Sequence, residues 1–208
     1  MLVWLNTLNG ADQVETECFT KCLEDFEGPL NGAIMGMAYG GSVEAMGIAW
    51  KGRGKVYGFD TFEDLHPKQL SKDQASFEAT AMDYWYGNDV YGTASLAYDY
   101  IRGELDKQGL DNVILVKGLI NANSLKDVPY LNYAILDLDI LKSMKMGYEL
   151  VKDKIVKGGY LLLHDVIPSN HMPTLNDLYL NTILEDPKNN WEIVKEQVQS
   201  FIVALRKI

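Results

Sequence analysis

The sequence predicts an α/β protein with a mostly parallel sheet and helices on both faces. Short apolar runs typical of buried strands alternate along the chain with helix-like stretches, which is the pattern of parallel sheets. Two of these runs, 133–136 and 160–163, end directly in acidic or imidazole side chains. The last two, 191–194 and 201–205, are separated by polar residues and predict a closing antiparallel pair. Because open α/β sheets bind ligands at the carboxyl ends of their strands, we expect the functional site at this edge.

The composition favours a single globular domain over residues 1–208, with 47% hydrophobic residues and a net charge of -10. That charge argues against a nucleic-acid partner, which needs a basic face. No apolar run reaches the ~20 residues of a membrane helix, and the start of the chain lacks a secretory signal pattern, so we expect no membrane partner. Cys18 and Cys22, the only cysteines, are spaced for one helix face and predict reduced thiols in a cytoplasmic protein.

The remaining elements follow from hydrophobic periodicity. Residues 1–30 predict a helical lead-in, because apolar side chains recur every four residues before Gly28 and Pro29 end the helix. This stripe consists of Val14, Cys18, Cys22 and Phe26. Further strands are predicted at 33–38, 56–59 and 113–116, and further helices at 43–50, 96–109, 141–155 and 175–179. The helix at 141–155 is predicted from an amphipathic stripe formed by Leu141, Met144, Tyr148, Val151 and Ile155.

A glycine-rich turn follows the first strand. The residues Tyr39, Gly40, Gly41 and Ser42 connect that strand to a helix, and Gly36 lies just before them. Such a turn lets the backbone approach a ligand closely, with helix N–H groups pointing at it. The alternative is an ordinary tight turn with Ser42 as the helix N-cap.

Asp60 ends the second strand, about 20 residues beyond the glycine turn. In nucleotide-binding α/β folds an acid at this place accepts hydrogen bonds from ribose hydroxyls. The alternative is local, because residues 61–64 fit a helix capping box and Asp60 could belong to that turn.

Residues 66–92 show no clear period and are rich in aromatic side chains. These include Tyr84, Trp85, Tyr86 and Tyr91. Long irregular stretches inside a compact domain are usually functional or disordered, and the aromatic content argues against disorder. We interpret the segment as a lid over a substrate pocket; the alternative is a surface loop over a small hydrophobic cluster.

Four polar side chains gather at the ends of two adjacent predicted strands. Asp137 and Asp139 follow one strand, and His164 and Asp165 follow the next. Hard divalent cations prefer carboxylate oxygens, and clustered carboxylates repel each other unless something uses them. We therefore expect a metal site or a general base here. Each residue also has an ordinary reading: Asp139 as a helix cap, Asp165 as a turn residue, and His164 as a neutral, hydrogen-bonded histidine.

Four segments in order, over roughly residues 15–208, carry a resemblance to a known family. They are 36–42, 58–65, 136–139 and 158–165. The chain resembles the class I S-adenosylmethionine (SAM)-dependent methyltransferases, and among them the macrocin O-methyltransferase family, which methylates sugar hydroxyls of antibiotics and related compounds. The resemblance implies a Rossmann-like, doubly wound, mostly parallel seven-stranded sheet with an antiparallel last strand.

The resemblance also implies roles for individual residues. The cofactor would be SAM, held by Gly36, Met37, Tyr39, Gly40, Gly41, Ser42, Asp60, Thr61 and Gly118. Mg²⁺, or another divalent cation, would be bound by Asp137, His164 and Asp165. Asp139 would be the general base. The acceptor would be a glycoside or another small molecule with a hydroxyl group, and a homo-oligomer is plausible.

The chain departs from the family pattern at three positions. Ile34 stands where the family has an acid that holds the cofactor's ammonium group, Ala122 replaces a usual acid after the third strand, and His164 replaces an aspartate. Three other functions are left open by the residues alone. They are a nicotinamide-dependent oxidoreductase, for which the first turn lacks GxGxxG, a non-catalytic binding protein with the same fold, and a metal-dependent hydrolase.

Overall fold

The structure is a computed structural model that describes residues 11–37, 40–62, 97–138, 141–167, 173–186, 188, 190–198 and 201–208. The helices are α1 (Gln13–Asp25), α2 (Gly41–Ala49), α3 (Ala97–Lys107), α4 (Leu141–Val151) and α5 (Pro173–Leu178), and a π-helical turn (Tyr179–Ile183) continues α5. The strands are β1 (Leu30–Met35), β2 (Gly54–Asp60), β3 (Val113–Lys117), β4 (Leu131–Leu136), β5 (Ile155–His164), β6 (Trp191–Gln197) and β7 (Ile202–Lys207).

The seven strands form one sheet in the order β3-β2-β1-β4-β5-β7-β6. The pairs from β3 to β5 are parallel, whereas β7 runs antiparallel to both of its neighbours, β5 and β6. The predicted mostly parallel α/β sheet with an antiparallel last strand is confirmed. The strand order reverses between β1 and β4, and such a switch point is where doubly wound sheets bind ligands.

Helices cover both faces of the sheet, as predicted. Side chains of α1, α2 and α3 form one hydrophobic cluster with the sheet, and side chains of α4, α5 and the π-helical turn form the other. Every residue of the central strands β1 and β4 is buried, and all are apolar or glycine except Asn31 and Asn132, which are joined by a 3.0 Å bond from the Asn31 N–H to Oδ1 of Asn132.

Helix α1 brings the first part of the chain onto the sheet. Its N-cap is Asp12, whose carboxylate accepts a hydrogen bond of 2.7 Å from the Val14 N–H. Val14, Cys18 and Cys22 are buried as the predicted stripe requires, whereas Phe26, the fourth member, is the extended C-cap and only partly buried. Both thiols are free.

The alternative interpretation of the glycine turn, in which Ser42 is the N-cap of α2, is wrong, because Gly40 holds that position in a left-handed conformation with φ at 82°. One predicted boundary is also wrong. Helix α4 ends at Val151 rather than Ile155, because Ile155 pairs with Leu131 and begins β5. Here sheet pairing overrides the helical period.

The predicted lid at 66–92 lies outside the described residues. None of the described helices has both the length and the apolar character needed to span a membrane.

Candidate functional site

The glycine turn leaves β1 at the switch point and is tied to the strands on both sides. The Gly36 N–H donates to the Phe59 carbonyl of β2 at 2.9 Å, and the Asp137 N–H donates to the Met35 carbonyl at 2.8 Å. These bonds join the carboxyl ends of β1, β2 and β4. The residues that follow these strands therefore share one edge of the sheet.

Gly36 is required by its surroundings as well as by its conformation. Its φ is 84°, and a Cβ placed on it would lie 1.7 Å from the carbonyl oxygen of Asp137. No side chain fits there. The absence of a side chain at Gly36 is thus explained by the approach of the β4 end, whether or not a ligand binds.

The rest of the turn forms the start of α2. Gly40 has no side-chain cap, and Gly41 is the first helical residue. The first N–H groups of a helix have no partners within that helix, so this terminus favours a polar or anionic group. The Met37 side chain is buried in the hydrophobic core at 5% exposure, and its carbonyl accepts a 2.8 Å bond from the Gly40 N–H. Tyr39 lies outside the described residues.

Asp60 links the end of β2 to the glycine turn. Its Oδ2 accepts a 2.8 Å bond from the Met37 N–H, and its Oδ1 accepts a 2.9 Å bond from the Phe62 N–H. Asp60 therefore belongs to the local turn after β2, as the alternative interpretation predicted. Each carboxylate oxygen still has a second lone pair available for a ligand hydroxyl.

Two other predicted cofactor residues lie beside Asp60. Thr61 follows it directly, and the Gly118 N–H donates to the Asp60 carbonyl at 2.9 Å. Gly118 has open space where a side chain would be, and it lines a groove of about 440 Å³ on the β2–β3 face. None of the described residues of the 36–42 turn lines that groove.

A buried glutamate that the sequence analysis missed lies at the acidic edge. Glu15 of α1 is 3% exposed. Its Oε2 accepts a 2.6 Å bond from the Ser42 hydroxyl, and its Oε1 lies 2.9 Å from Nε2 of His164. The sole signal in the sequence is an acid directly beside the apolar stripe of α1. Ser42 thus connects α2 to α1 rather than capping its own helix, as the alternative interpretation of the turn had it.

His164 lies between two carboxylates. Besides its contact with Glu15, its Nδ1 is 3.7 Å from Oδ2 of Asp137. Burial alone would lower the pKa of His164, but the carboxylates of Asp137 and Glu15 raise it to about 9. Burial raises the pKa of Asp137 to about 6, with a further increase from Asp165, while His164 opposes the change. Both carboxylates therefore favour the protonated, cationic form of the His164 ring.

The remaining residues singled out at this edge of the sheet are Asp165, Asp139 and Ile34. Asp165 has a left-handed φ of 58°, and its N–H donates to the Phe201 carbonyl at 2.9 Å. Asp139 lies outside the described residues. Within the described ranges, no group of three or more His, Cys, Asp or Glu side chains could hold a metal ion. Ile34 is 1% exposed and belongs to the hydrophobic core, so the expected acid is replaced by a true core residue.

The fold is similar to those of solved methyltransferases. The O-methyltransferase NovP matches with a TM-score of 0.64 and 17% identity, over 92% of this chain and 78% of that one. An rRNA methylase from Streptococcus thermophilus matches with a TM-score of 0.58 and 15% identity, over 94% and 95%. A Streptococcus mutans protein described as a methyltransferase, solved in complex with SAH, matches with a TM-score of 0.58 and 13% identity, over 94% and 97%.

The sequence comparisons add no relative. No protein-family model matches the chain, and no curated protein matches it in sequence. At identities of 17% and below, the similar structures establish the architecture and leave the reaction to be argued from the site. The chain has the α/β fold that these methyltransferases share.

Proposed function

We propose that this protein is a SAM-dependent methyltransferase that acts on a hydroxyl group of a small, sugar-like molecule. The observation that carries the proposal is the bond between the Asp60 carboxylate and the Met37 N–H. This bond holds the Asp60 carboxylate against the glycine turn, at the switch point of the sheet, which supports a role for Asp60 in binding the ribose of the cofactor. The resemblance to the macrocin O-methyltransferase family and the methyltransferase fold support the same reaction.

The residues of this edge suit the two ends of the cofactor. The turn from Gly36 through Gly40 and Gly41 to Ser42, with Met37 and Tyr39, would hold the methionine end by backbone groups. Asp60 would accept hydrogen bonds from the ribose hydroxyls through its remaining lone pairs, and Thr61 and Gly118 lie beside it. When bound, SAM supplies a methyl group on a sulfonium, which is the electrophile of the reaction.

The chain's own task is to align and deprotonate the acceptor hydroxyl. Holding the oxygen in line with the methyl carbon and sulfur removes much of the entropic cost of the reaction. A hydroxyl is a poor nucleophile at neutral pH, so a base must take its proton as it attacks. We assign this role to Asp139, two residues after Asp137 at the end of β4.

The acceptor is proposed to be a small molecule rather than RNA. NovP is described as an O-methyltransferase, whereas another similar structure is described as an rRNA methylase. The net charge of -10 favours the small molecule, since RNA binding needs a basic surface.

The predicted Mg²⁺ does not fit the described side chains. His164 presents both ring nitrogens to carboxylates, whereas a metal-bound histidine directs one nitrogen's lone pair at the metal. We therefore propose a reaction that uses no metal ion.

The test is formation of S-adenosylhomocysteine from SAM with a panel of hydroxyl acceptors, such as nucleotide sugars and simple glycosides. We expect turnover with one acceptor class. Asp139→Asn should abolish it while the Kd for SAM changes less than threefold, and Asp111→Asn, at an exposed site, serves as the matched control. A fully active Asp139→Asn variant would remove the base from the account. Folded protein that neither binds SAM nor uses any acceptor would overturn the proposed function.

A further inference from the structure

We propose that the imidazole ring of His164 fills the place at the acidic edge that a divalent cation would take, held there by Glu15 and Asp137. The inference deepens the proposed function, because it specifies a metal-independent form of the same site. It concerns only the groups at the ends of α1, β4 and β5.

The two ring nitrogens of His164 each point toward a carboxylate. Nε2 lies 2.9 Å from Oε1 of Glu15, and Nδ1 lies 3.7 Å from Oδ2 of Asp137. Both ring nitrogens of His164 therefore face carboxylate oxygens. Nε2 is within hydrogen-bond distance of Glu15, whereas Nδ1 lies beside Asp137 beyond that distance, so the ring occupies the space between the two carboxylates that a metal ion would otherwise take.

The His164 ring and its partner Glu15 are largely buried and fixed by further bonds. The side chain of Glu15 is 4% exposed and that of His164 is 17% exposed. Glu15 is fixed by the Ser42 hydroxyl at 2.6 Å, and its own carbonyl accepts a 3.3 Å bond from the Tyr133 hydroxyl. Turning the ring toward a metal would leave the buried Glu15 carboxylate without its nitrogen partner, which is costly.

The His164 ring and a metal ion would compete for the Asp137 carboxylate. A cation bound by Asp137 would have to approach the carboxylate against which Nδ1 of His164 already lies. An aspartate in place of His164 would remove that competitor and add two oxygen ligands of the kind that Mg²⁺ and Mn²⁺ prefer. Position 164 therefore decides whether this edge binds a metal ion.

The test is calorimetric titration of the full chain with Mn²⁺ and with Mg²⁺, without SAM. We expect wild type to bind neither ion at concentrations up to about 1 mM, which is the weak end of the Kd range of dedicated Ca²⁺ sites in proteins. His164→Asp should bind Mn²⁺ at least tenfold more tightly than wild type. His164→Asn, which removes the ring without adding a carboxylate, is the matched control and should gain less.

Two results would overturn the inference. One is wild-type binding of Mn²⁺ below about 100 μM that disappears in Asp137→Asn. The other is a folded His164→Asp variant with no gain in affinity. If His164→Asp does not fold, the wild-type and Asp137→Asn titrations still decide the question. A parallel titration of wild type with SAM separates this inference from the proposed function, because failure to bind SAM leaves the metal result unchanged.

Discussion

Replacing Gly36 by alanine should destabilise the fold by more than its left-handed backbone explains. A left-handed φ costs a non-glycine residue about 1 to 2 kcal/mol. The new Cβ would also lie 1.7 Å from the Asp137 carbonyl oxygen, whereas real Cβ contacts stay beyond 3.0 Å, so the end of β4 must move by more than 1 Å. That movement breaks the 2.8 Å bond from the Asp137 N–H to the Met35 carbonyl. The combined cost is about 3 to 5 kcal/mol.

Gly52→Ala is the matched control for this substitution. Gly52 has nearly the same φ, 79°, but nothing lies within 4 Å of its added Cβ. Its cost should be about 1 to 2 kcal/mol, from the backbone conformation alone. The assay is urea denaturation followed by circular dichroism, with the free energy of unfolding extrapolated to water. A difference between the two variants of less than about 1 kcal/mol would refute the proposed close approach of Asp137 to Gly36.

Three further predictions concern the charged residues of the site. Because folding raises the pKa of His164 from 6.5 to about 9, protonation of His164 should add about 3 kcal/mol to the free energy of unfolding. This contribution is complete below pH 6.5 and is lost as the pH rises through 9. Urea midpoints from pH 6 to 10 should show the loss in wild type, and an equal loss in His164→Asn would contradict the prediction. Glu15→Gln should lower the pKa of His164 in an NMR titration, because a neutral amide replaces one of its carboxylate partners, whereas the exposed Glu17→Gln should leave it unchanged. Asp60→Asn should weaken SAM binding by at least tenfold in calorimetry, since the amide keeps only one acceptor oxygen for two backbone N–H groups and two hydroxyls, and equal affinity would remove Asp60 from the cofactor site.

The sheet was predictable because its signals are local. Each central strand contains a short apolar run, 33–35 in β1 and 133–136 in β4, because the strand is buried on both faces. The glycine turn and the strand-end acids follow these runs within a few residues. Their convergence on one edge then follows from the parallel arrangement alone.

The missed features depend on contacts between distant parts of the chain. Glu15 and His164 are 149 residues apart, and no pattern around either residue indicates the other. The end of α4 was misplaced because Ile155 fits the helical stripe, and only its pairing with Leu131 assigns it to β5. Ser42 has the chemistry of an N-cap, but a buried partner on α1 uses its hydroxyl instead. Tertiary contacts override local preference in all three cases.

The most direct test of the central claim is calorimetric titration of the purified chain with SAM, beside 5′-methylthioadenosine and NAD⁺. The account predicts micromolar binding of SAM, weaker binding of methylthioadenosine because it lacks the amino-acid end that the glycine turn would hold, and no binding of NAD⁺. Absence of SAM binding by a protein shown to be folded would contradict the account, and so would tighter binding of NAD⁺ than of SAM.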